Sequence, residues 1–390
     1  MNSAAPISGG QFVVATPFRT VCDDNARALE RIGRLRFIAL GTRRGTAGVP
    51  LERTRLNPVI GLASYAAARA LPHFAAESFR FRLHPWFDRW VLRQLAPGDH
   101  IISSYGYTNA AFKWVRAHGG KTFLDGGNSH PENFWTIISE EHRRWKCPYP
   151  PVGPHHYRRA LAMMEDVDYV LSPSSFVTNS FLTRGFRTEQ IIRNVYPLDL
   201  SCFTPPTAPR PVDRPLTVIT TGTLTLRKGS PYLLEAFRLI LKAEPRARLR
   251  LTSAIADSMK PVLAKYADLP IDWSPTLSHP PLAERLRGAD IFVLPSLEDG
   301  FARTVAEALA CGLPVVTTPN TGASDLIRSG ENGEVVPIRD PQAIAAAVLA
   351  WWERRRMSNA RPIAFDPTPL TVASFETEFL TQLHGCGLID

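Results

Sequence analysis

The stretch PSLEDGFARTVAEALACGLPVVTTPNTGASDLI, Pro295 to Ile327, decides the fold. It follows an apolar run, Ile291 to Leu294, whose length suits a strand buried on both faces. The loop Glu298 to Ala302 comes next, then a helix across Arg303 to Cys311, then a second apolar strand, Pro314 to Thr318. Strand, helix, strand at this spacing is the pattern of a parallel sheet covered by helices. Asp299 stands at the entrance of the helix and Glu307 in its second turn. The amides of Gly300, Phe301 and Ala302 point out of the helix amino terminus, where the dipole favours an anion. Such a device suits a phosphate or sugar hydroxyls, with the carboxylates as acceptors. The plainer alternative is a capping aspartate and a solvated helix glutamate.

The same alternation continues on both sides. Towards the carboxyl terminus the spacing predicts helices over Pro341 to Arg354 and over Val372 to Leu383. Upstream it predicts strands at Leu216 to Thr221 and Arg248 to Thr252, and helices at Pro231 to Ala243 and Leu282 to Gly288. In TGTLTLRKGSPYLLEAF, Thr221 to Phe237, a strand ends at Gly222 and a loop carries Arg227 and Lys228 into a turn at Gly229. Two adjacent cations there suit a diphosphate, arginine by paired contacts and lysine by its compact charge. The spacing of a Walker loop is absent.

TPPTAPRPVDRP, Thr204 to Pro215, carries five prolines and cannot continue a helix or a central strand. Before it lie strand candidates at Phe12 to Ala15, Arg36 to Thr42, His100 to Ser104, Lys121 to Leu124 and Tyr169 to Ser172. Helix candidates between them are Asp23 to Arg34, Ala110 to His118 and His156 to Val167. The expected organisation is therefore an α/β protein of two Rossmann-like, doubly wound domains facing each other across a cleft. The first spans residues 1–203, the linker 204–215 and the second 216–370. A terminal helix in 371–390 is expected to pack back on the first domain.

Composition narrows the function classes. The chain is 44% hydrophobic and 21% charged, as soluble globular proteins are, which excludes disordered and fibrous classes. Five scattered cysteines, with no Cys-x-x-Cys pair, read as reduced thiols rather than a zinc or redox site. No apolar run is long enough to span a bilayer, and the amino terminus lacks the features of a signal peptide, so a cytoplasmic location is expected. Charge is uneven: up to Pro197 there are 25 Lys and Arg against 15 Asp and Glu, and from Leu198 onward 20 against 21. A basic first half suits an anionic partner or simply a solvated surface.

Together, Gly222, Lys228-Gly229, Asp299-Gly300-Phe301, Glu307-Ala308 and Gly312-Leu313-Pro314-Val315-Val316 resemble the donor-binding domain of the retaining glycosyltransferases usually numbered family four. The resemblance covers Thr217 to Ala345 and implies the two-domain GT-B architecture. It implies a retaining glycosyltransferase that moves a hexose-type sugar from a nucleotide-sugar co-substrate, such as a UDP- or GDP-sugar, to a glycan, lipid-linked or small-molecule acceptor. No other cofactor and no metal are expected. By position, Lys228 would hold the diphosphate, Asp299 the transferred sugar and Glu307 the ribose hydroxyls. Gly222, Arg227, Gly300, Phe301 and Ala302 complete the donor set. The chain departs from the family in two places: Thr223 stands where an arginine is usual, which leaves Arg227 as the second cation, and Asp299 is one methylene shorter than the usual glutamate.

The first half resembles the acceptor-binding domain less closely. The loop Thr16 to Val21 lacks the usual glycine pair. In LDGGNSHPENF, Leu124 to Phe134, the resemblance implies that the histidine after the strand reaches the donor sugar, as one does in the family, which makes His130 the choice for the catalytic centre beside Lys228 and Asp299. A loop or capping histidine is the alternative. Tyr105, Gly106, Tyr107 and Asn109 sit at another strand end and suit a polyol or a core. In Phe79 to Leu95, Trp86, Phe87, Trp90 and Val91 share a helical face that would lie in the core or peripherally on an anionic membrane. Glu140 to Lys146 reads as a solvated helix end. A rival function is a catalytically inactive nucleotide-sugar binding protein of the same fold; nucleic acid is not an expected partner.

Overall fold

The computed structural model describes all residues except 1–9, 19, 42–47, 72, 148–152, 209–210, 212 and 359–360. Part of the proline-rich linker, Arg19 in the loop after the first strand, and Thr42 at the expected end of the second lie outside the described residues.

The first sheet has seven strands: β1 (Phe12–Thr16), β2 (Leu35–Leu40), β3 (Thr54–Leu56), β4 (His100–Ser104), β5 (Thr122–Asp125), β6 (Tyr169–Ser172) and β7 (Ile191–Arg193). All pair in parallel, in the order β3-β2-β1-β4-β5-β6-β7. The helices around it are α1 (Cys22–Arg31), α2 (Pro58–Ala70), α3 (His73–Arg82), α4 (His84–Leu92), α5 (Asn109–Ala117), α6 (Pro131–Arg144), α7 (Pro154–Met163) and α8 (Ser175–Leu182). Side chains alternate between the two faces as a pleat requires. Phe12 and Val14 join one core layer, Val13 and Ala15 the other.

The second sheet has six parallel strands: β8 (Thr217–Thr221), β9 (Arg248–Thr252), β10 (Ile271–Ser274), β11 (Ile291–Leu294), β12 (Val315–Thr317) and β13 (Gly333–Val335). Their order is β10-β9-β8-β11-β12-β13. It is covered by α9 (Ser230–Ala243), α10 (Lys260–Leu263), α11 (His279–Arg287), α12 (Arg303–Ala310) and α13 (Pro341–Met357). Ile291 and Val293 face one layer, Phe292 and Leu294 the other, so β11 is apolar throughout because neither face meets water. The last helix, α14 (Val372–Gly385), returns to the first sheet and buries Phe375, Phe379 and Leu383 against the layer of Phe12 and Leu35.

In each sheet the strand order reverses beside the first strand, between β1 and β4 and between β8 and β11. A crevice opens outside the carboxyl ends of the strands at such a switch point. The loops that leave β8 and β11, which carry Lys228 and Asp299, flank the second one.

Phe79 to Leu95 falls in α3 and α4 and the residues that follow, and of the two alternatives for the face of Trp86, Phe87, Trp90 and Val91 the core holds: Phe87 and Val91 are fully buried, Trp90 packs on them, and only Trp86 is exposed. One expectation for the first half is corrected: Glu140 to Lys146 is not solvated throughout. It ends α6, and Glu141 is fully buried against the second domain. Its carboxylate accepts from Trp145 Nε1 at 2.8 Å, Tyr232 OH at 2.6 Å and Arg339 Nε at 2.9 Å.

Candidate functional site

The loop 298–302 lies between the two domains. Its backbone is held in the second domain by Asp299 N donating to Asn320 O at 2.9 Å and Gly322 N donating to Asp299 O at 2.7 Å. From the first domain, Ser174 Oγ donates to Gly300 O at 2.7 Å. A β-carbon on Gly300 would stand 2.1 Å from Gly127 O, and one on Gly322 would stand 1.9 Å from Gly300 O. Three backbone segments therefore stack across the interface at a separation that no side chain fits.

Glu298, fully buried, ties the domains by its side chain. Oε1 accepts from Ser129 N at 2.9 Å and Oε2 from the Arg227 guanidinium at 3.0 Å. The same arginine nitrogen reaches Glu298 O at 3.1 Å and Asn128 Oδ1 at 3.5 Å. Burial works against the charge of Arg227, but Glu298 and Asp299 outweigh it and raise its pKa. Lys228 pairs with Asp299. Burial would raise the Asp299 carboxyl, yet Lys228 and Arg227 prevail and hold it below the usual carboxylate range. For Lys228 burial wins over Asp299, and its pKa is lowered.

Ala302, the N-cap of α12, has φ +59° and no side-chain capping bond. A left-handed alanine costs on the order of 1 kcal/mol, which marks a loop held in shape by its surroundings. Glu307 projects from α12 with Oε2 buried and unpartnered, and burial raises its pKa. Thr221, Ser253 and Ser296, at or just beyond the carboxyl ends of β8, β9 and β11, also bury hydroxyl oxygens without a hydrogen-bond partner. Buried polar atoms are ordinarily satisfied, so these orphans outline a space for a polar ligand. Gly222, with φ +94°, and Thr223 are exposed at the same edge. Among the described residues no group of three or more His, Cys, Asp or Glu side chains is placed to hold a metal ion.

The expected donor residues Arg227, Lys228, Asp299, Gly300, Phe301 and Ala302 are thus brought together where the two domains meet. Phe301 is buried there, edge-on to Tyr196 at 5.8 Å. His130 occupies a different setting. It is the N-cap of α6, its Nδ1 accepts from Glu132 N at 3.3 Å, and its ring lies edge-on to Phe181 at 5.2 Å. Burial lowers its pKa to about 4, so the imidazole is neutral near pH 7. The contacts that fix the ring all come from the first domain, although the preceding residue, Ser129, reaches Glu298.

Asp125, Tyr105 and Asn109 hold the first domain's loops. Asp125 accepts from Ser104 Oγ at 2.9 Å and Tyr196 OH at 3.2 Å, and burial raises its pKa. Tyr105 OH donates to Asn128 O at 2.5 Å, and Asn109 Nδ2 donates to Arg159 O at 2.7 Å. Sequence reasoning missed Glu298 as a bridge, along with Asn128, Ser129 and Ser174. The strand-end hydroxyls were detectable from their position alone.

Comparison with known proteins bears on the second domain and on the fold as a whole. Residues 215–354 match the family of glycosyl transferases group 1. The chain is 30% identical over 169 residues to the D-inositol 3-phosphate glycosyltransferase of Thermomonospora curvata, covering 38% of this chain and 39% of that protein. It is 31% identical over 186 residues to the amylovoran biosynthesis glycosyltransferase AmsK of Erwinia amylovora, covering 43% and 42%. The matched region thus spans less than half the length of either relative. Over the whole fold it resembles HepE of Anabaena, whose crystal structure holds UDP and glucose, with a TM-score of 0.63, 14% identity and coverage of 96% of this chain and all of that one. The architecture is GT-B.

Proposed function

We propose that this chain, whose second domain matches the group 1 glycosyl transferases over residues 215–354, transfers a hexose-type sugar, with retention, from a nucleotide-sugar donor seated against that domain to an acceptor on the first. The observation that carries the proposal is the pairing of cations with orphaned acceptors around one switch point. Lys228 and Arg227 offer positive charge, and the Glu307 Oε2 and the hydroxyls of Thr221, Ser253 and Ser296 lack partners.

Each part has a role in this reading. Lys228 and Arg227 neutralise the diphosphate as it departs, and the strained turn at Ala302 presents the free amides of α12 to it. Glu307 accepts from the ribose hydroxyls and Asp299 from the transferred sugar. Arrival of the diphosphate draws Lys228 partly off Asp299, which frees a carboxylate oxygen for the sugar. The positive groups are supplied by the protein, so the reaction needs no divalent metal. Same-face displacement through an oxocarbenium-like state requires no enzyme nucleophile, only a held geometry, which Glu298 supports by fixing Arg227. His130, neutral and a helix cap, orients the loop that meets Glu298 or a sugar hydroxyl beyond it. The neighbour solved with UDP and UDP-glucose favours uridine as the base.

A thermal-shift panel of UDP, GDP, ADP and TDP, with and without EDTA, tests this. A ligand of the folded state raises stability by about 2.7 kcal/mol at one hundred times its Kd. A rise with one nucleotide, unchanged by EDTA, is expected; no rise with any of them overturns the donor site. Release of nucleotide diphosphate on adding an acceptor extract separates a transferase from an inactive binding protein.

A further inference from the structure

We propose that the outer face of α2, with the arginines around it, docks onto an anionic phospholipid bilayer. The helix reads PVIGLASYAAARA, and its one charged residue, Arg69, lies in the last turn. Ile60, Gly61, Ser64 and Ala67 face inward. Outward, at helical spacing, stand Val59 and Leu62, each 68% exposed, and Tyr65, 61% exposed. Leu71, which follows the helix directly, and Leu51, a few residues before it in sequence, are exposed as well, and Trp86, 72% exposed, lies on α4. Of the twelve large hydrophobic side chains exposed among the described residues, seven fall between Leu51 and Trp86. A helix facing water ordinarily carries charge on its outer side, and a concentrated apolar patch marks an interaction surface.

The occupant follows from charge. Residues 51–95 carry seven arginines against three acids, and one of those acids, Asp88, is buried, its oxygens accepting from the amides of Ala110 and Ala111. Arg55, Arg69, Arg82 and Arg89 are exposed. Arg69 donates to Tyr65 OH at 3.0 Å and lies 5.7 Å from the centre of its ring, so cation and aromatic ring are held as one amphipathic unit. Apolar side chains flanked by arginines and an interfacial tyrosine fit an acidic headgroup layer over acyl chains. A second copy of this chain fits poorly, because a two-fold contact would set the same arginines against each other. The face also lies near the cleft: on α3, the Arg80 guanidinium sits 4.3 Å from the centre of the Phe18 ring, in the loop leaving β1. An acceptor carried in a membrane would there meet the first domain, a consequence that rests on the transferase reading, whereas docking itself does not.

The test reads binding without turnover. The full chain is sedimented with vesicles of phosphatidylcholine alone and of phosphatidylcholine mixed with phosphatidylglycerol, at low and high salt. Binding is expected only to the anionic vesicles, falling as salt rises. Leu62→Glu should weaken it by on the order of tenfold, and Arg55→Glu should weaken it and flatten its salt dependence. Both positions are exposed, and unchanged melting temperatures would show that the variants fold. Failure of the chain to bind anionic vesicles overturns the proposal, as does equal binding by Leu62→Glu. A dimer in solution that Leu62→Glu dissociates also overturns it. Nucleotide-induced thermal shifts on the same samples report separately on the donor site.

Discussion

Replacement of Gly300 by alanine probes the contact between the domains most directly. The added methyl would lie 2.1 Å from Gly127 O and 2.6 Å from the carbonyl carbon. Ordinary carbon-to-oxygen contact is about 3.4 Å, so the loops must separate by roughly 1 Å. Both partners are backbone, and no side-chain rotation relieves the clash. Misplacement of reacting groups by about 1 Å can cost a factor of about 100 in rate, or about 2.7 kcal/mol in transition-state stabilisation. In the proposed reading the nucleotide rests on the second domain, and the α-carbon of Gly300 faces Gly127 of the first, so nucleotide affinity should change little. Gly300→Ala should therefore lower kcat/KM for transfer about 100-fold while Kd for the free nucleotide, by calorimetry, stays within about threefold. Loss of nucleotide affinity as large as the loss of rate would refute the reasoning, because the substitution would then act through the nucleotide's own contacts rather than through the contact between the domains. Wild-type turnover would show that the domains do not work at this separation.

The other predictions follow from single side chains. Lys228→Ala should weaken nucleoside diphosphate binding by about tenfold or more, with much less effect on the bare nucleoside, as measured by calorimetry. Glu307 is raised by burial, so the free protein keeps a proton there at a pH where an ordinary glutamate would not. Ribose hydroxyls favour the charged form, binding expels the proton, and nucleotide affinity should climb with pH through the raised pKa by up to about tenfold per unit; in Glu307→Gln it should be flat. Glu141→Leu leaves the donors of Trp145, Tyr232 and Arg339 without their acceptor and should cost about 3 kcal/mol in denaturant unfolding, with Glu141→Gln milder. Burial lowers His100, His130 and His156 to about 4, so at these three positions the unfolded chain binds more protons than the folded one between about pH 6.5 and 4. Their contribution to stability should be lost as the pH falls across that window, and replacing His156 by Phe should make the melting temperature less sensitive to pH there.

Most of the second domain was legible because its signals are local. Buried parallel strands are short apolar runs, and Arg248 to Thr252 and Ile291 to Leu294 match β9 and β11 residue for residue. The expected helices over Pro231 to Ala243 and Arg303 to Cys311 differ from α9 and α12 by one residue at an end. The edge strands β3, β7 and β10 were not anticipated. Each is three or four residues long, and residues such as Arg55, Arg193, Asp272 and Trp273 interrupt the apolar run, because an edge strand is partly exposed. Helix α2 was missed for a related reason: with Val59, Leu62 and Tyr65 facing water, it lacks the polar outer side that would mark an amphipathic helix.

Local pattern was enough to read the two α/β domains, the strand ends at Gly222 and Ser296, and the chemistry of the loops that follow them, because strand and helix periods and turn residues act over a few positions. That Glu298 reaches Ser129, that Gly300 lies against Gly127, that Glu141 is buried with Arg339, and that His130 caps a helix within its own domain emerge from the packing of distant segments. These contacts join residues 169 to 198 positions apart or depend on a ring's orientation, and a carboxylate that is solvated or buried has the same letter in the sequence. Its environment is set by the packing of whole domains, where desolvation and a distant cation determine what the charge can do.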